Sequence, residues 1–555
     1  MHDLNARGLA PPVRRPAFPT GATQSVALVL DRWLAEDPDR LALVGRSGRL
    51  SYAAIDRAAN RAAGALAALS VGAGDRVAAC LPNDLDIVVA FLGALRLGAI
   101  WVGVNRPLAA REKAYLLRDS GARVVLLDAD LHAADELAPM RGDLGELEHV
   151  VCVDPADPGA EWSRLLAAAD GAARPAGCAD RDPFGPAAIA YTSGTTGFPK
   201  GAVHSHHNLL LPGAVTAWRG EDAQTVTHGV VLPLSILNLM VLGPLTAFQV
   251  GSTCVAMDRI DPVGLAEWVE RERIGHFAAV PTILHDLLTS DAVRQESLTS
   301  LVRPMVGGAD CPEELRSLIR ERFGMEVGIG YGMTEAPTAV TTSGGARGDK
   351  PGLCGTALPQ IEIRICDDDG REVPAGEPGE ICVAPARTGV WAGVYTPMLG
   401  YWDDVAATRE ALRDGVYRTG DIGFLEADGA LYIRGRRNEL ILRGGANVYP
   451  AEVERVLTAH PAVASAAVFG LPDERLGERV VAVVSLVRGG HVAPEVLIAH
   501  CRGELARYKT PEEIRIVDTM PRNAMNKIVK ARLHALFDAP GPPGESADPP
   551  GGARG

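Results

Sequence analysis

Residues 191–201 read Tyr191-Thr192-Ser193-Gly194-Thr195-Thr196-Gly197-Phe198-Pro199-Lys200-Gly201, directly after a strand-like apolar run at 187–190. Two glycines and four hydroxyls ahead of a lysine make a turn rich in hydrogen-bond donors. Backbone N–H groups and Ser/Thr hydroxyls of this kind cradle phosphate oxygens, and the lysine adds a point charge. A plain surface turn accounts for three such residues better than for this whole run followed by Pro-Lys-Gly. The turn is not a Walker A loop, because Gly-Lys occurs nowhere in the chain. The run Gly328-Ile329-Gly330-Tyr331-Gly332 is not a dinucleotide fingerprint either, because Met333 stands where glycine is required.

Outward from that turn, the first 150 residues alternate strand and helix patterns. Ser51 caps a helix expected to reach about residue 69. Strands are expected at 76–80, 100–104 and 124–127, and helices at 86–97 and 107–118. Such alternation implies a parallel, doubly wound sheet, and the pattern resumes at 187. After about residue 350 the texture changes. Short strands at 361–366, 380–383, 430–433 and 439–442 are broken by glycine and charged turns, which suggests a smaller, more antiparallel unit. Beyond 435 an α+β pattern follows, with helices at 451–458 and 495–507 and strands at 463–469 and 480–487. The last 17 residues are rich in Pro and Gly and read as disordered.

The 555 residues are enough for three or four domains. Lys+Arg is 55 against 69 Asp+Glu, a net charge of −14, which argues against a nucleic-acid partner. Only six of the cations are lysine, at 113, 200, 350, 509, 527 and 530. The nine cysteines show no CxxC spacing and read as reduced thiols of a cytoplasmic protein. The N-terminal residues lack the apolar run of a signal peptide. Residues 229–248 carry no charge, but Pro233, Ser235, Asn238 and Pro244 interrupt them, so they read as buried core and not as a membrane span.

Three further segments carry chemistry. In Gly330-Tyr331-Gly332-Met333-Thr334-Glu335, a tyrosine between glycines can offer its face to a base, and Glu335 offers hard oxygen to Mg2+ beside phosphates. Upstream, Gly307-Gly308-Ala309 permits close backbone approach to a ligand. In Tyr417-Arg418-Thr419-Gly420-Asp421, one carboxylate can accept from both hydroxyls of a ribose. It precedes a basic island at Arg434, Arg436, Arg437 and Arg443, and three of the six lysines lie in the final stretch from Lys509 to Lys530.

In this order, TSGTTGFPKG, GYGMTE, YRTGD, GRRNELILRGGANVYPAEVE and YKTP…PRNAMNKIVK resemble the acyl- or aryl-CoA ligase branch of the adenylate-forming (acyl-CoA synthetase, AMP-binding) superfamily, over about residues 25 to 535. The resemblance implies an α/β fold. A large multi-subdomain N-terminal domain with doubly wound sheets (25–434) would follow an extension (1–24). A hinge (435–438) would join it to a smaller α+β mobile domain (439–538), ahead of the tail (539–555). It implies an ATP-dependent acid–CoA ligase, which forms acyl-AMP and pyrophosphate and then passes the acyl group to coenzyme A. ATP, Mg2+ and coenzyme A are the implied cofactors and co-substrates, in a cytoplasmic monomer or homodimer with no integral membrane segment.

Carried over residue by residue, Thr192, Ser193, Gly194, Thr195, Thr196, Gly197 and Lys200 would hold the β- and γ-phosphates. Gly308, Ala309, Gly330, Tyr331 and Gly332 would border the nucleotide, with Tyr331 against adenine. Thr334 would touch the α-phosphate, Glu335 would hold Mg2+, and Asp421 with Arg436 would meet the ribose. Lys527 would reach the α-phosphate and carboxylate oxygens. Asn438 would be the hinge, Gly444 and Gly445 would line the coenzyme A tunnel, and Ile236, Asn238, Met240, Val306, Gly307 and Met333 would line the acyl pocket.

Two positions depart from the family pattern. Ser235-Ile236 replaces an aromatic–histidine pair, and Asn526 replaces the glycine before Lys527, where asparagine is the next-best residue at positive φ. Between Arg219 and Arg259 the only potentially cationic side chain is His228. A second carboxylate would need a buried cation, so an uncharged, mainly apolar acyl or aryl acid is expected, although PRNAMNK is itself similar to malonyl-CoA synthetases. The alternatives are a free-standing enzyme that loads a carrier protein, and a nucleotide-binding relative without turnover.

Overall fold

The computed structural model describes residues 7–12, 14–192, 198–220, 226–306, 311, 313–324, 327–336, 339–343, 352–443, 446–473, 475–522 and 528–538. The chain divides into two compact units, Met1–Ile433 and Arg434–Gly555, with the division falling inside the strand Ala430–Arg436.

Within the first unit, the strands Arg76–Cys80, Ile100–Gly103, Ala122–Asp128, His149–Val153 and Pro186–Thr192 pair in parallel, as the early alternation predicts. Lys200–Ser205 then returns antiparallel to Pro186–Thr192, and Gly400–Tyr401 adds antiparallel to Lys200–Ser205 at the edge. The two faces of this sheet serve different cores. Ala188, Ala190, Ala202 and Tyr401 pack in one, and Ile189 and Val203 in the other, as the period of two along each strand requires.

Ser51 caps the helix Tyr52–Ala68, its side chain accepting from the Ala54 N–H at 3.3 Å. That helix is alanine-rich because it packs against Leu85–Leu97 at short range. A Cβ on Gly93 would lie 2.6 Å from the Ala62 methyl. The helix expected at 107–118 begins later, at Ala110, and runs to Ser120.

A second sheet runs in the order Gly328–Ile329, Arg303–Val306, Ile274–Ala279, Thr227–Val230, Cys254–Ala256, Leu41–Gly45, Gly48–Ser51, and only its last pair is antiparallel. The uncharged stretch 229–248 splits between this sheet and a broken helix: strand Thr227–Val230, helix Leu237–Met240, a π-type turn Val241–Leu245 containing Pro244, and helix Thr246–Val250. Among the described residues no helix is long and apolar enough to cross a membrane. The antiparallel texture after 350 is a third sheet, in the order Thr341–Thr342, Leu353–Ala357, Ala430–Arg436, Val416–Leu425, Gly379–Pro385, Ile361–Cys366. The residues ahead of 25 contribute to the first unit's core: Leu9 and Phe18 are buried, and Ala10 N–H donates to the Leu399 carbonyl at 2.7 Å.

In the second unit, Val463–Asp473 and Gly477–Leu486 form a long antiparallel hairpin, and Glu513–Val517 joins the latter strand in parallel. Helices Pro450–Thr458 and Pro494–Glu504 bury Val453, Leu457, Leu497 and Cys501 against this sheet. The strand expected at 439–442 is shifted. Arg437–Glu439 is a 3-10 turn and the strand is Ile441–Arg443. The helix expected to reach 507 ends at Glu504, with Arg507–Lys509 a separate 3-10 turn. The tail at 539–555 lies outside the described residues.

Candidate active site

The hydroxyl-rich turn is the connection of a β-hairpin. Thr192 pairs with Lys200, so the lysine emerges on the return strand, unlike a strand-to-helix phosphate loop. Ser193, Gly194, Thr195, Thr196 and Gly197 lie outside the described residues. The hairpin base is anchored from the helix Ala110–Ser120. Tyr115 Oη donates to the Pro199 carbonyl at 3.0 Å, and Tyr191 Oη donates to Asp119 Oδ2 at 2.7 Å.

Lys200, Ala202 and His204 share one face of the return strand, and Tyr401 stands opposite Ala202. The Lys200 ammonium lies 5.4 Å from the centre of the Tyr401 ring, a cation–π distance. Tyr401 Oη donates to Glu335 Oε1 at 3.1 Å, and the Met398 N–H holds the Glu335 carbonyl at 3.2 Å. The Tyr417 hydroxyl lies beside that of Tyr401. Burial, and then the Glu335 carboxylate, raise both phenols above their usual range, so they remain neutral donors. On the far side, Tyr331 Oη donates to Asp421 Oδ2 at 2.5 Å, and both residues are buried. Asp421 is set by its own strand, where its N–H donates to Thr419 Oγ1 at 3.0 Å. Beside it, Arg418 pairs with the buried Glu380 carboxylate.

The structure therefore sets Lys200 and Glu335 around Tyr401, and joins Tyr331 to Asp421, with the Tyr417 hydroxyl within electrostatic reach of both Glu335 and Tyr331. Thr334 and Met333 lie half-buried within the same segment, Gly330 is half-buried and Gly332 is exposed. Neither Tyr401 nor Tyr417 stood among the expected site residues. Tyr417 sits in the YRTGD motif and was open to inspection. Tyr401 carries no motif and arrives only through the two-residue edge strand.

The acyl-pocket candidates divide. Met240 is buried in the same core as Leu237 and Tyr331, with Met333 packed against it. Val306 packs in a different core with Ile329 and Phe277. Ile236 and Asn238 are half-buried at the start of the helix Leu237–Met240. The loop before that helix is held by Asn83, which sequence reading missed. Its Nδ2 donates to the Val230, Leu232 and Met257 carbonyls at 3.0–3.2 Å, and its Oδ1 accepts from the Leu234 N–H at 2.7 Å. The Ser235 carbonyl then presses on Gly103, where a Cβ would lie 1.9 Å away, so only glycine fits. His228 stays in its strand, its ring edge-on to His276 at 5.4 Å.

Arg436 and Asn438 belong to the second unit and are exposed there. Gly307, Gly308, Ala309, Gly444, Gly445, Asn526 and Lys527 lie outside the described residues. Among the described residues no three His, Cys, Asp or Glu side chains converge as a metal cage. Glu335 nonetheless offers the hard oxygen that suits Mg2+, which is commonly held by one or two carboxylates together with substrate phosphates.

An α/β enzyme that activates its substrate with a nucleotide is the class that the comparisons with known proteins define. The pattern defining the AMP-binding enzymes matches residues 30–402, and that of the AMP-binding enzyme C-terminal domain matches residues 452–527. The long-chain-fatty-acid–CoA ligase FadD13 of Mycobacterium tuberculosis is 33% identical over 88% of this chain and 94% of its own. The feruloyl-CoA synthase of an Amycolatopsis species is 33% identical over the same shares. The crystal structure of ATP-bound MatB from Rhodopseudomonas palustris superimposes with a TM-score of 0.81 at 29% identity, covering 92% of this chain and 99% of that one. The chain belongs to the AMP-binding enzyme family, in its acid–CoA ligase branch. It is an AMP-forming ligase that joins a carboxylic acid to coenzyme A through an acyl-AMP, with ATP and coenzyme A as co-substrates.

Proposed function

We propose that the acid is an uncharged, mainly apolar acyl or aryl acid, and that the residues Lys200, Glu335, Tyr331 and Asp421 form its activation site. The observation that carries the reading is that each carboxylate is held by a buried phenol: Glu335 by Tyr401, and Asp421 by Tyr331. The absence of Lys and Arg from residues 220–258 supports the apolar acid. So does the packing of Met240 and Met333 in one core.

Asp421 accepts the ribose hydroxyls and Tyr331 offers its ring to adenine. Lys200, with the turn at 193–197, neutralises the departing pyrophosphate. Thr334 donates to the α-phosphate while the acid carboxylate attacks it. Glu335 would hold Mg2+, whose charge screens the phosphates from the incoming anion. Positioning and charge neutralisation supply the rate. Lys527 serves the first half-reaction, and rotation about Asn438 exchanges it for the Gly444–Gly445 passage through which the thiol reaches the acyl-AMP carbonyl.

The test is mass spectrometry of the thioesters formed from ATP, Mg2+, coenzyme A and a mixture of octanoate, benzoate, ferulate, indole-3-acetate and malonate. An octanoyl or aryl thioester is expected. Malonate as the best substrate would overturn the apolar reading. Transfer only to a phosphopantetheinyl carrier protein would overturn coenzyme A as the acceptor.

A further inference from the structure

His204 is 1% exposed, and neither ring nitrogen has a hydrogen bond of full geometry. Its surroundings on the strand are small and apolar. Ala188 lies opposite it on Pro186–Thr192, and Ala202 precedes it on the same face. The polar group that reaches the ring is the Thr334 backbone carbonyl. The charged side chains on the elements packed around it are Lys200, two positions back on the same face, and Glu335, next to Thr334. A buried polar group without partners is costly, and a native structure retains one where something else satisfies it.

The peptide joining Thr334 to Glu335 is the ring's polar neighbour. Beyond it, the Glu335 carbonyl is held by Met398 and the Glu335 carboxylate by Tyr401. His204 is the donor that faces the Thr334 end. Burial pushes the ring down to about 4, so near neutrality it is an uncharged imidazole with one N–H to give.

Building on the activation site described above, we infer that His204 is a positioning residue for adenylation: its ring N–H closes onto the Thr334 carbonyl in the loaded enzyme and fixes the Thr334–Glu335 peptide. The Thr334 hydroxyl and the Glu335 carboxylate are thereby aimed together, and His204 itself touches no substrate.

The test uses the full chain and acid-dependent ATP–pyrophosphate exchange, with whichever acid of the panel is best. His204→Leu lowers kcat by ten- to a hundredfold with the KM for ATP within threefold, the cost of misplacing a catalytic group by a fraction of an ångström. His204→Asn, which restores an N–H donor, recovers most of the loss. The shape of the pH–rate profile between pH 6 and 9 is the same in parent and variants, because a neutral ring does not titrate there. Parent-like exchange by His204→Leu overturns the inference, as does equal loss in Leu and Asn variants with parent-like circular dichroism. Loss of the acidic limb also overturns it, since that would make His204 an acid–base group. If the Leu variant does not fold, the Asn variant decides alone: at least a third of parent kcat supports the inference, and less than a tenth overturns it. Thr334→Ala separates the two readings. If it leaves exchange intact, the proposed role of Thr334 has failed. If it abolishes exchange while His204→Leu is parent-like, only the role of His204 has failed.

Discussion

Tyr331 and Asp421 are joined hydroxyl to carboxylate at 2.5 Å across 90 residues of chain. The bond ties the start of the GYGMTE segment to the antiparallel sheet that carries YRTGD. It therefore fixes, before any nucleotide arrives, the separation between the ring proposed for adenine and the carboxylate proposed for the ribose. Asp421→Ala is expected to raise the KM for ATP by about 10- to 100-fold, the scale of hydrogen bonds to a charged acceptor. The same variant should lose its preference for ATP over 3′-deoxy-ATP. Tyr331→Phe keeps the ring and removes one neutral donor, so a rise of about fivefold is expected. Steady-state kinetics with both nucleotides check this, and an unchanged KM in Asp421→Ala would remove Asp421 from the ribose site.

Glu335 is fixed at its carboxylate by Tyr401 and at its carbonyl by Met398. Glu335→Gln is expected to depress exchange at least a hundredfold at saturating acid and to raise the Mg2+ concentration needed for half-maximal rate. Tyr401→Phe should cost about tenfold, because a donor to a charged group is lost while the ring beneath Lys200 stays. Magnesium titrations of the exchange rate in both variants distinguish a metal ligand from a merely structural carboxylate, which would leave the Mg2+ dependence in place.

The parts of the site that were legible in the sequence are those whose chemistry is contiguous. Tyr331 and Glu335 share a six-residue motif, Asp421 ends another, and Lys200 closes a third. Ser51 was legible as a cap because capping depends on the next three residues alone. Tyr401 was not, because a two-residue edge strand delivers it to Glu335 from 66 residues away. Asn83 was equally hidden, since one amide holding four backbone groups leaves no pattern in sequence. Glu439 was misplaced in a strand because the short apolar run 440–442 does not show where the preceding 3-10 turn ends.

Lys530 offers a test of how the second unit is organised. Its ammonium meets Glu439 at 2.6 Å and Glu454 at 2.8 Å, and Glu454 also accepts the Val468 N–H at 2.9 Å. Burial alone would lower the lysine, yet the two carboxylates hold it above its usual range. Glu439 follows Asn438 directly, and Lys530 lies three residues after Lys527, so the ion triad links the proposed hinge to the segment that carries the proposed catalytic lysine. Lys527→Ala is expected to abolish adenylation while largely sparing thioester formation from supplied acyl-AMP. Lys530→Met should follow the same pattern more weakly, with adenylation down at least tenfold and thioester formation within threefold, and Lys530→Arg should recover it. Equal loss of both half-reactions in Lys527→Ala would contradict the alternating-unit reading.

The buried histidines give the protein a defined acid limit. Burial pushes His204, His206 and His207 from 6.5 down to about 4; Arg181 lowers His206 further against Asp182, and the Val394 carbonyl partly supports His207. In the folded chain these rings stay neutral, whereas in the unfolded chain they take up protons below 6.5. Their contribution to stability is thus complete above pH 6.5 and is lost as pH falls toward 4, at most roughly 3 kcal/mol per ring. Asp86 acts in the opposite sense. Burial, with Asp84 beside it, raises its carboxyl from 3.8 to about 6, so the folded state holds the extra proton in that window and gains stability as pH falls. Asp119, also raised by burial, acts in the same sense as Asp86, and three rings against two carboxyls leave a net loss. Urea midpoints followed by tryptophan fluorescence should therefore fall steeply between pH 6.5 and 4.5. Trp391 is a suitable reporter, being buried beside Phe18, which itself lies 4.8 Å from the His207 ring. His207→Gln should flatten the slope by about one proton, and a midpoint independent of pH across this range would show that the rings are not held neutral by burial.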